Sequence, residues 1–340
     1  MNLGYGLVTC QRTPGDHRRA SDLYGEALEL ARACEAVGLD SIWTSEHHFF
    51  DDDYMPSLLV TSAALAAVTE RISVGTGVVL GPLYHPLRLA EDAATVDAIS
   101  RGRLVLGLGI GWRREEFDRL GIPMEGLGRR LTETVAVLRG AWGPEPFAHE
   151  GTTYRIDTTN VTPKPAHGIE ILIGGFADRA LRRAARIGDG YLASTTRGSD
   201  LTRRVRIVMQ ELERLGRDPS TFRFGVHEPV WVSDNPEADL EDVLRAVWYT
   251  RWKYQDMATA FARPSSGPLP KPPPIDAETR EQLLKELIIG TPDQVARRIR
   301  RTRQILGDDM YYVARSYLPG MSLDRSVREI QLLGEVRKLL

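Results

Sequence analysis

Short apolar runs of strand length alternate along the chain with segments whose apolar residues recur at helical spacing. GYGLVT (4–9) is followed by a stripe of Leu23, Ala27, Leu30, Cys34 and Val37. LDSIWTS (39–45) precedes a helical stretch from Pro56 to Val68, and ISVGTGVVL (72–80) precedes one opening at His85-Pro86, where proline suits a first turn. LVLGLGI (104–110) leads to a helix over 127–138, and FAHEGTTYRI (147–156) reads as a hairpin turning at Gly151. The rhythm resumes with EILIGG (170–175) and a helix over 178–187, GYLAST (190–195) and a helix over 200–215, and FRFGVHEPVWV (222–232) with a helix from Asn235-Pro236. Thr291-Pro292 opens another helix, MYYVAR (310–315) forms the last strand, and Ser322 opens the last helix. Eight strands, each followed by a helix, predict a single closed parallel (β/α)8 TIM barrel over 1–340, with a hairpin inserted after strand 4.

A doubly wound open sheet is the competing architecture, but it calls for a G-x-G-x-x-G turn after the first strand, and GYGLVTCQRTPG has none. One stretch is compositionally distinct: ARPSSGPLPKPPPIDAE (262–278), whose prolines forbid regular structure. It follows strand 7 and so falls on the C-terminal face, where barrel active sites lie, which marks it as a lid segment rather than a plain linker.

Charge and composition narrow the partners. A chain of 340 residues, 42% hydrophobic, with a net charge of −2 and no basic run, has a large core and no electrostatic footprint for nucleic acid. No apolar run nears the roughly 20 residues that span a bilayer, and MNLGYGLVTCQ lacks the order of a signal peptide, so a cytoplasmic protein is expected. Cys34 falls on a helix stripe and Cys10 ends the first strand; no disulfide is expected.

Three features carry chemistry. SIWTSEHHFFDDDYM places Glu46, His47 and His48 at the C-terminal end of strand 2. Adjacent histidines on a strand point to opposite sides, and no H-x-H or H-x-x-x-H stands elsewhere, so acid/base work by His47 with Glu46 is favoured over a metal and no metal is expected. His48 reads as a support, and Asp51 to Asp53 as a solvated loop. RGRLVLGLGIGW and ISVGTGVVL strip side chains from neighbouring strands at Gly107, Gly109, Gly111, Gly75 and Gly77. Such thinning either relieves crowding or lets a flat ring lie on the wall, the second being favoured where two adjacent strands share it. In ILIGGFADRAL a strand runs through Gly174-Gly175 into a helix, leaving the N–H groups of Gly175, Phe176 and Ala177 at a positive helix end suited to phosphate; the plain alternative is a tight turn. There is no G-x-S-x-G elbow, and Lys164 sits in a proline-flanked loop, so nucleophilic hydrolysis finds no support.

Taken in order, LVTCQRTPG, GLDSIWTSEHHF, the block from ISVGTGVVLGPLYHP to GRLVLGLGIGW, the Gly-Gly turn at 174 and IIGTPDQVARRI resemble the bacterial luciferase-like family of flavin-dependent monooxygenases. These are (β/α)8 barrels that bind FMN or, in some branches, the deazaflavin F420. The resemblance implies that His47 governs proton transfer to and from an oxygenated flavin and the substrate. It implies a non-proline cis peptide at Gly77-Val78 beneath the ring, Gly109 and Ile110 beside it, and Gly174, Gly175, Phe176 and Ala177 at its phosphate. At Ile110 the luciferase branch carries an arginine against that phosphate, so Arg179 or another nearby arginine is needed to compensate. Trp112 and Glu116, in GLGIGWRREEF, resemble the F420 branch equally well.

The expected activity is reduced-flavin-dependent monooxygenation. FMNH2 from a separate flavin reductase reacts with O2 to a C4a-peroxide that passes one oxygen atom to a small organic substrate. The alternative is F420-dependent hydride transfer without O2; a catalytically silent flavin-binding protein stands behind both. Cys10, Phe49 and Trp231, with Phe176, are the candidate substrate wall, and a homodimer through the helix TSAALAAV and its neighbour is expected.

Overall fold

In the computed structural model, which describes residues 1–194, 198–259 and 268–340, the alternating elements close on themselves. Strands β1 (Asn2–Val8), β2 (Ser41–Thr44), β3 (Ser73–Thr76), β5 (Leu104–Gly109), β8 (Glu170–Gly174), β9 (Gly190–Ser194), β10 (Arg223–Val232) and β12 (Tyr311–Arg315) pair in that order, all parallel, and β12 pairs back onto β1. The expected barrel is the observed one. β4 (Val79–Leu80) continues the wall beside β5, and β11 (Ile288–Gly290) adds to the outer end of β10. β6 (Phe147–Glu150) and β7 (Arg155–Thr159) form the inserted antiparallel hairpin.

Among the described residues the helices are α1 (Ala20–Ala36), α2 (Leu58–Ala67), α3 (Pro86–Ser100), α4 (Arg114–Arg119), α5 (Leu127–Trp142), α6 (Asp178–Ile187), α7 (Gly198–Arg214), α8 (Pro236–Thr259), α9 (Ala277–Glu286), α10 (Pro292–Leu306) and α11 (Leu323–Leu339). Two were not expected. α4 is too short to show a period, and α9 is a charged helix whose one buried side chain is Leu283. Of the segment 262–278, residues 262–267 lie outside the described residues. Residues 268–276 have no regular structure, Asp276 caps α9 through the Thr279 N–H at 2.7 Å, and Ala277 and Glu278 belong to that helix.

Inside the barrel Trp43 is fully buried among Leu7, Val105, Leu172, Leu192, Tyr311 and Val313, its indole N–H donating to Ser41 Oγ at 2.8 Å. This plug explains part of the glycine pattern. A Cβ at Gly75 would lie 2.3 Å from the Trp43 ring, and one at Gly107 would lie 2.0 Å from the Thr76 carbonyl oxygen. At these two positions close packing, not a flat ligand, demands glycine, which corrects that part of the sequence reading. Gly77, Gly109 and Gly174 also line the cavity described below; a Cβ at Gly77 would meet the Leu7 side chain at 2.8 Å, and one at Gly109 or Gly174 the Val78 side chain at 2.6 and 3.2 Å.

α11 buries Glu329 beneath β10, where Oε1 accepts the Val232 N–H at 3.4 Å and Oε2 has no partner. Burial pushes its carboxyl from the ordinary 4.5 up to about 8. A carboxyl raised on folding holds its proton more tightly in the folded state, so its contribution to stability is complete below about pH 4.5 and is lost as pH rises towards 8. Thermal midpoints of the wild type are therefore expected to fall between about pH 5 and 8, and Glu329→Gln to fall less over the same window. Equal slopes for the two proteins would remove Glu329 from this role.

Candidate active site

β2 ends at Thr44 and the chain then crosses the barrel mouth, so the first polar residues after the strand are presented to its interior. His47 is only 5% exposed, and its Nδ1 lies 2.9 Å from Glu116 Oε1, an oxygen that also accepts the His48 backbone N–H at 2.8 Å. An oxygen already serving as acceptor sets the tautomer: Nδ1 carries the hydrogen and donates it, which leaves Nε2 as the atom that exchanges protons. Four aromatic rings, Phe50, Tyr54, Trp112 and Tyr254, stand with centroids 5.0–5.8 Å from the imidazole. The imidazole is thus oriented by one carboxylate and walled by apolar faces.

The supporting carboxylate is Glu116 and not Glu46. Glu46 turns to the Leu80 N–H and the Tyr84 hydroxyl, both at 2.7 Å, and burial pushes it up to about 8, so at neutral pH it is largely a neutral carboxylic acid on the cavity wall. His48 does not join the hydrogen-bonded pair through its ring; its Nε2 is buried without a partner, and burial lowers its pKa. The three aspartates are not a solvated loop either. Asp51 pairs with the buried Lys253. Asp52 is fully buried and accepts from Gln11 Nε2 at 2.9 Å and the Tyr249 hydroxyl at 3.0 Å, while Asp53 pairs with Arg12 at 2.5 Å. Together with Arg113, which donates to His48 O at 2.7 Å and Met257 O at 3.3 Å, Asp51 and Asp52 fasten α8 to the loop after β2, while Asp53 ties that loop to the one after β1. That fastening sets Tyr254 beside His47.

A cavity of about 550 Å³ opens from His47 down to the glycines. Glu46, Gly77, Val78, Gly109, Ile110, Gly174, Gly175, Phe176 and Ala177 all line it, as sequence reasoning expected, and the Gly77–Val78 peptide is cis. Cys10, Phe49 and Trp231 do not. Cys10 is sealed in the core with its Sγ 3.9 Å from Leu23 O against α1. Phe49 is 45% exposed beside Arg119, and Trp231 packs outward into a second apolar cluster with Val243, Val247 and Leu283. Strand-end position alone did not tell which side of the wall these residues occupy.

At the floor, no side chain caps the first turn of α6 behind Ala177; the Ala180 and Leu181 N–H groups close onto Ala177 O at 2.7 and 3.1 Å, which leaves those of Asp178 and Arg179 for an anion. Arg183 is 9% exposed, lines the cavity, and leaves Nη1 buried with no partner; burial, with Arg179 and Arg186 nearby, lowers its pKa. It fits because residue 128 is glycine, where a Cβ would lie 2.7 Å from Nη2. A desolvated guanidinium without an anion is costly, and a helix N-terminus adds positive potential. The residues present therefore fit the phosphate of a flavin or deazaflavin cofactor. Nothing in RALRRAARIG set Arg183 apart from its neighbours in sequence; Tyr254 and Arg315, which also line the cavity, were equally silent.

Comparison with known proteins places the chain. Residues 1–309 match the family model described as luciferase-like monooxygenase, and the chain belongs to that family. It is 33% identical over 165 residues to the oxygenase component of a flavin-dependent trigonelline monooxygenase from Acinetobacter baylyi, covering 48% of this chain and 46% of that protein. It is 32% identical over 193 residues to an F420-dependent glucose-6-phosphate dehydrogenase from Microbacterium testaceum, covering 54% and 56%. The chain thus spans about half the length of these two relatives. In fold it resembles the monooxygenase RslO1 from Streptomyces bottropensis, with a TM-score of 0.83, 23% identity and 98% of each chain covered. It is an enzyme of the luciferase-like oxidoreductase class. Among the described residues no three His, Cys, Asp or Glu side chains are placed to hold a metal, and no helix is long and apolar enough to cross a membrane.

The tautomer assignment has a direct check. In 15N-labelled protein, His47 is expected to show the Nδ1–H form, and Glu116→Ala to turn it into a mixture of tautomers; an Nε2–H form in the wild type would overturn the assignment.

Proposed function

We propose that this protein is the oxygenase of a two-component monooxygenase, receiving reduced FMN from a separate flavin reductase and inserting one atom of O2 into a small organic substrate. The observation that carries the reading is the meeting, in one cavity, of an oriented imidazole with a free Nε2 and a cationic floor built by Arg183 and the α6 N-terminus. When bound, the reduced flavin supplies the reaction with O2. The chain's own residues do the rest. Arg183, Arg179 and the N–H groups of Asp178 and Arg179 hold the phosphate; Gly77, Val78, Gly109 and Gly174 form the wall on which the ring lies; and His47 Nε2 moves a proton at the reacting edge. Phe50, Tyr54, Trp112 and Tyr254 keep water from that edge. The proline-rich residues 268–276 serve as a lid over this mouth, and the exposed Val60 on α2 and Ile99 on α3 give a homodimer its apolar contact. The sequence-based assignment to the cytoplasm is kept.

A second reading, F420-dependent hydride transfer without O2, is favoured by the Trp112 and Glu116 pair against His47 and by the F420-dependent relatives. Reconstitution with each cofactor, followed by turnover of each reduced form with and without O2, separates the two. O2-dependent oxidation with FMNH2 is expected, and O2-independent turnover with F420 alone would reverse the choice. His47→Ala is expected to slow turnover by about 100- to 10,000-fold while leaving flavin affinity intact. Arg183→Gln should weaken FMN by about 10-fold or more and leave riboflavin, which lacks the phosphate, unchanged; equal losses for both would refute the phosphate role.

A further inference from the structure

The charged side chains on the cavity wall are Glu46, His47, Arg179, Arg183, His227 and Arg315. His47 is committed to Glu116, burial keeps Glu46 largely protonated, and His227, enclosed in the barrel beside Arg315, is held down at about 3 and hence neutral. The charge that remains is three arginines. Arg179 and Arg183 sit on α6, after β8. Arg315 ends β12, which two strands, β9 and β10, separate from β8 on one side of the barrel and four on the other. One phosphate at the α6 end leaves the charge at β12 unanswered.

Arg315 is half-buried, and its guanidinium makes no hydrogen bond or ion pair with any described residue. Its guanidinium lies over the Tyr254 ring at 5.7 Å, and that same ring is 5.4 Å from the His47 imidazole. The guanidinium is therefore tied to the reacting end of the cavity rather than to the phosphate end. It also borders a second cavity of about 360 Å³, which shares Tyr254 and Arg315 with the first and continues past Pro229, Val247 and Leu318. The other arginine there, Arg251, is already paired with Glu286 at 3.0 Å. An arginine that is partly desolvated, rigidified on an aromatic face and free of any carboxylate presents a planar fork of donors to a ligand oxyanion.

We infer that the substrate carries a carboxylate or similar oxyanion, held by Arg315 at the junction of the two cavities, with its reacting group turned to His47 and any further bulk lodged in the second cavity. The inference rests on the proposed oxidoreductase reading for the identity of the reacting group, but not for the anion site itself. A neutral ligand would leave the guanidinium unpaired, and the flavin phosphate is served on the other wall.

The test uses benzoate and benzamide, a matched ring pair that differs in charge, titrated into FMN-loaded protein and followed by calorimetry. Benzoate is expected to bind about 10- to 100-fold more tightly than benzamide, the range of a charged hydrogen-bonded pair. Arg315→Met should abolish that preference without changing benzamide affinity, and Arg315→Lys should restore part of it. Equal binding of the two probes to the wild type, no benzoate binding at all, or an unchanged preference in Arg315→Met would each overturn the inference. If the protein takes up neither FMN nor F420, the oxidoreductase reading fails; the same titrations on the cofactor-free protein then still decide the role of Arg315. Should Arg315→Met fail to fold, the wild-type ratio and the lysine variant carry the decision.

Discussion

The hydrogen bond between His47 and Glu116 joins the loop after β2 to α4, and the mouth of the barrel is arranged around it. A histidine at the end of a short strand has rotamer freedom and two tautomers; one fixed acceptor removes both. Because Glu116 Oε1 also accepts the His48 N–H, the same oxygen shapes the backbone that presents the ring and chooses which nitrogen stays free. The second oxygen, Oε2, is buried without a partner, so the two contacts to Oε1 are what hold the carboxyl in place. The short helix α4 serves to deliver this residue.

Holding α8 across the mouth takes charges that the sequence made look superficial. Lys253 is 1% exposed, and such an ammonium is tolerable only with carboxylates beside it, here Asp51 and Asp256 at 3.5 Å. Removing one partner of a buried pair leaves the other uncompensated, so the loop and the helix are coupled more tightly than their apolar contacts alone would make them. Arg113 adds the third side of the clamp, stacked 4.4 Å over Phe50. Tyr254 owes its position to this clamp, and through Tyr254 so does the spacing between His47 and Arg315.

Much of this was legible in the chain. Strand-sized apolar runs, proline at helix starts and the absent G-x-G-x-x-G separate a barrel from an open sheet, because periodicity and turn chemistry are local. The glycines and the Gly-Gly turn also located the cavity floor, since a missing Cβ has few causes. Two were misjudged all the same: at Gly75 and Gly107 the cause is the bulk of Trp43 and the nearness of Thr76, which sequence spacing does not reveal. The partner of His47 was misassigned because Glu46 is adjacent in sequence while Glu116 is 69 residues away, and neighbours along a strand face opposite ways. Asp51 to Asp53 looked like loop polarity because their partners, Gln11, Arg12, Tyr249 and Lys253, lie far along the chain.

The cations in the cavity act on one another as well as on any ligand. With Glu46 neutral and Glu116 committed, no ionised carboxylate on the described wall offsets Arg179, Arg183 and Arg315, and like charges in a partly desolvated space disfavour one another. Arg183, the most buried, shows this in its lowered pKa, to which Arg179 and Arg186 contribute after burial. An anion bound at the α6 end relieves that repulsion locally and lowers the positive potential felt at Arg315, so a phosphate on one wall weakens rather than strengthens an anion on the other. A phosphate at the α6 end and an anion at Arg315, bound as proposed, would therefore be coupled with negative sign, and by linkage each would loosen the other to the same degree.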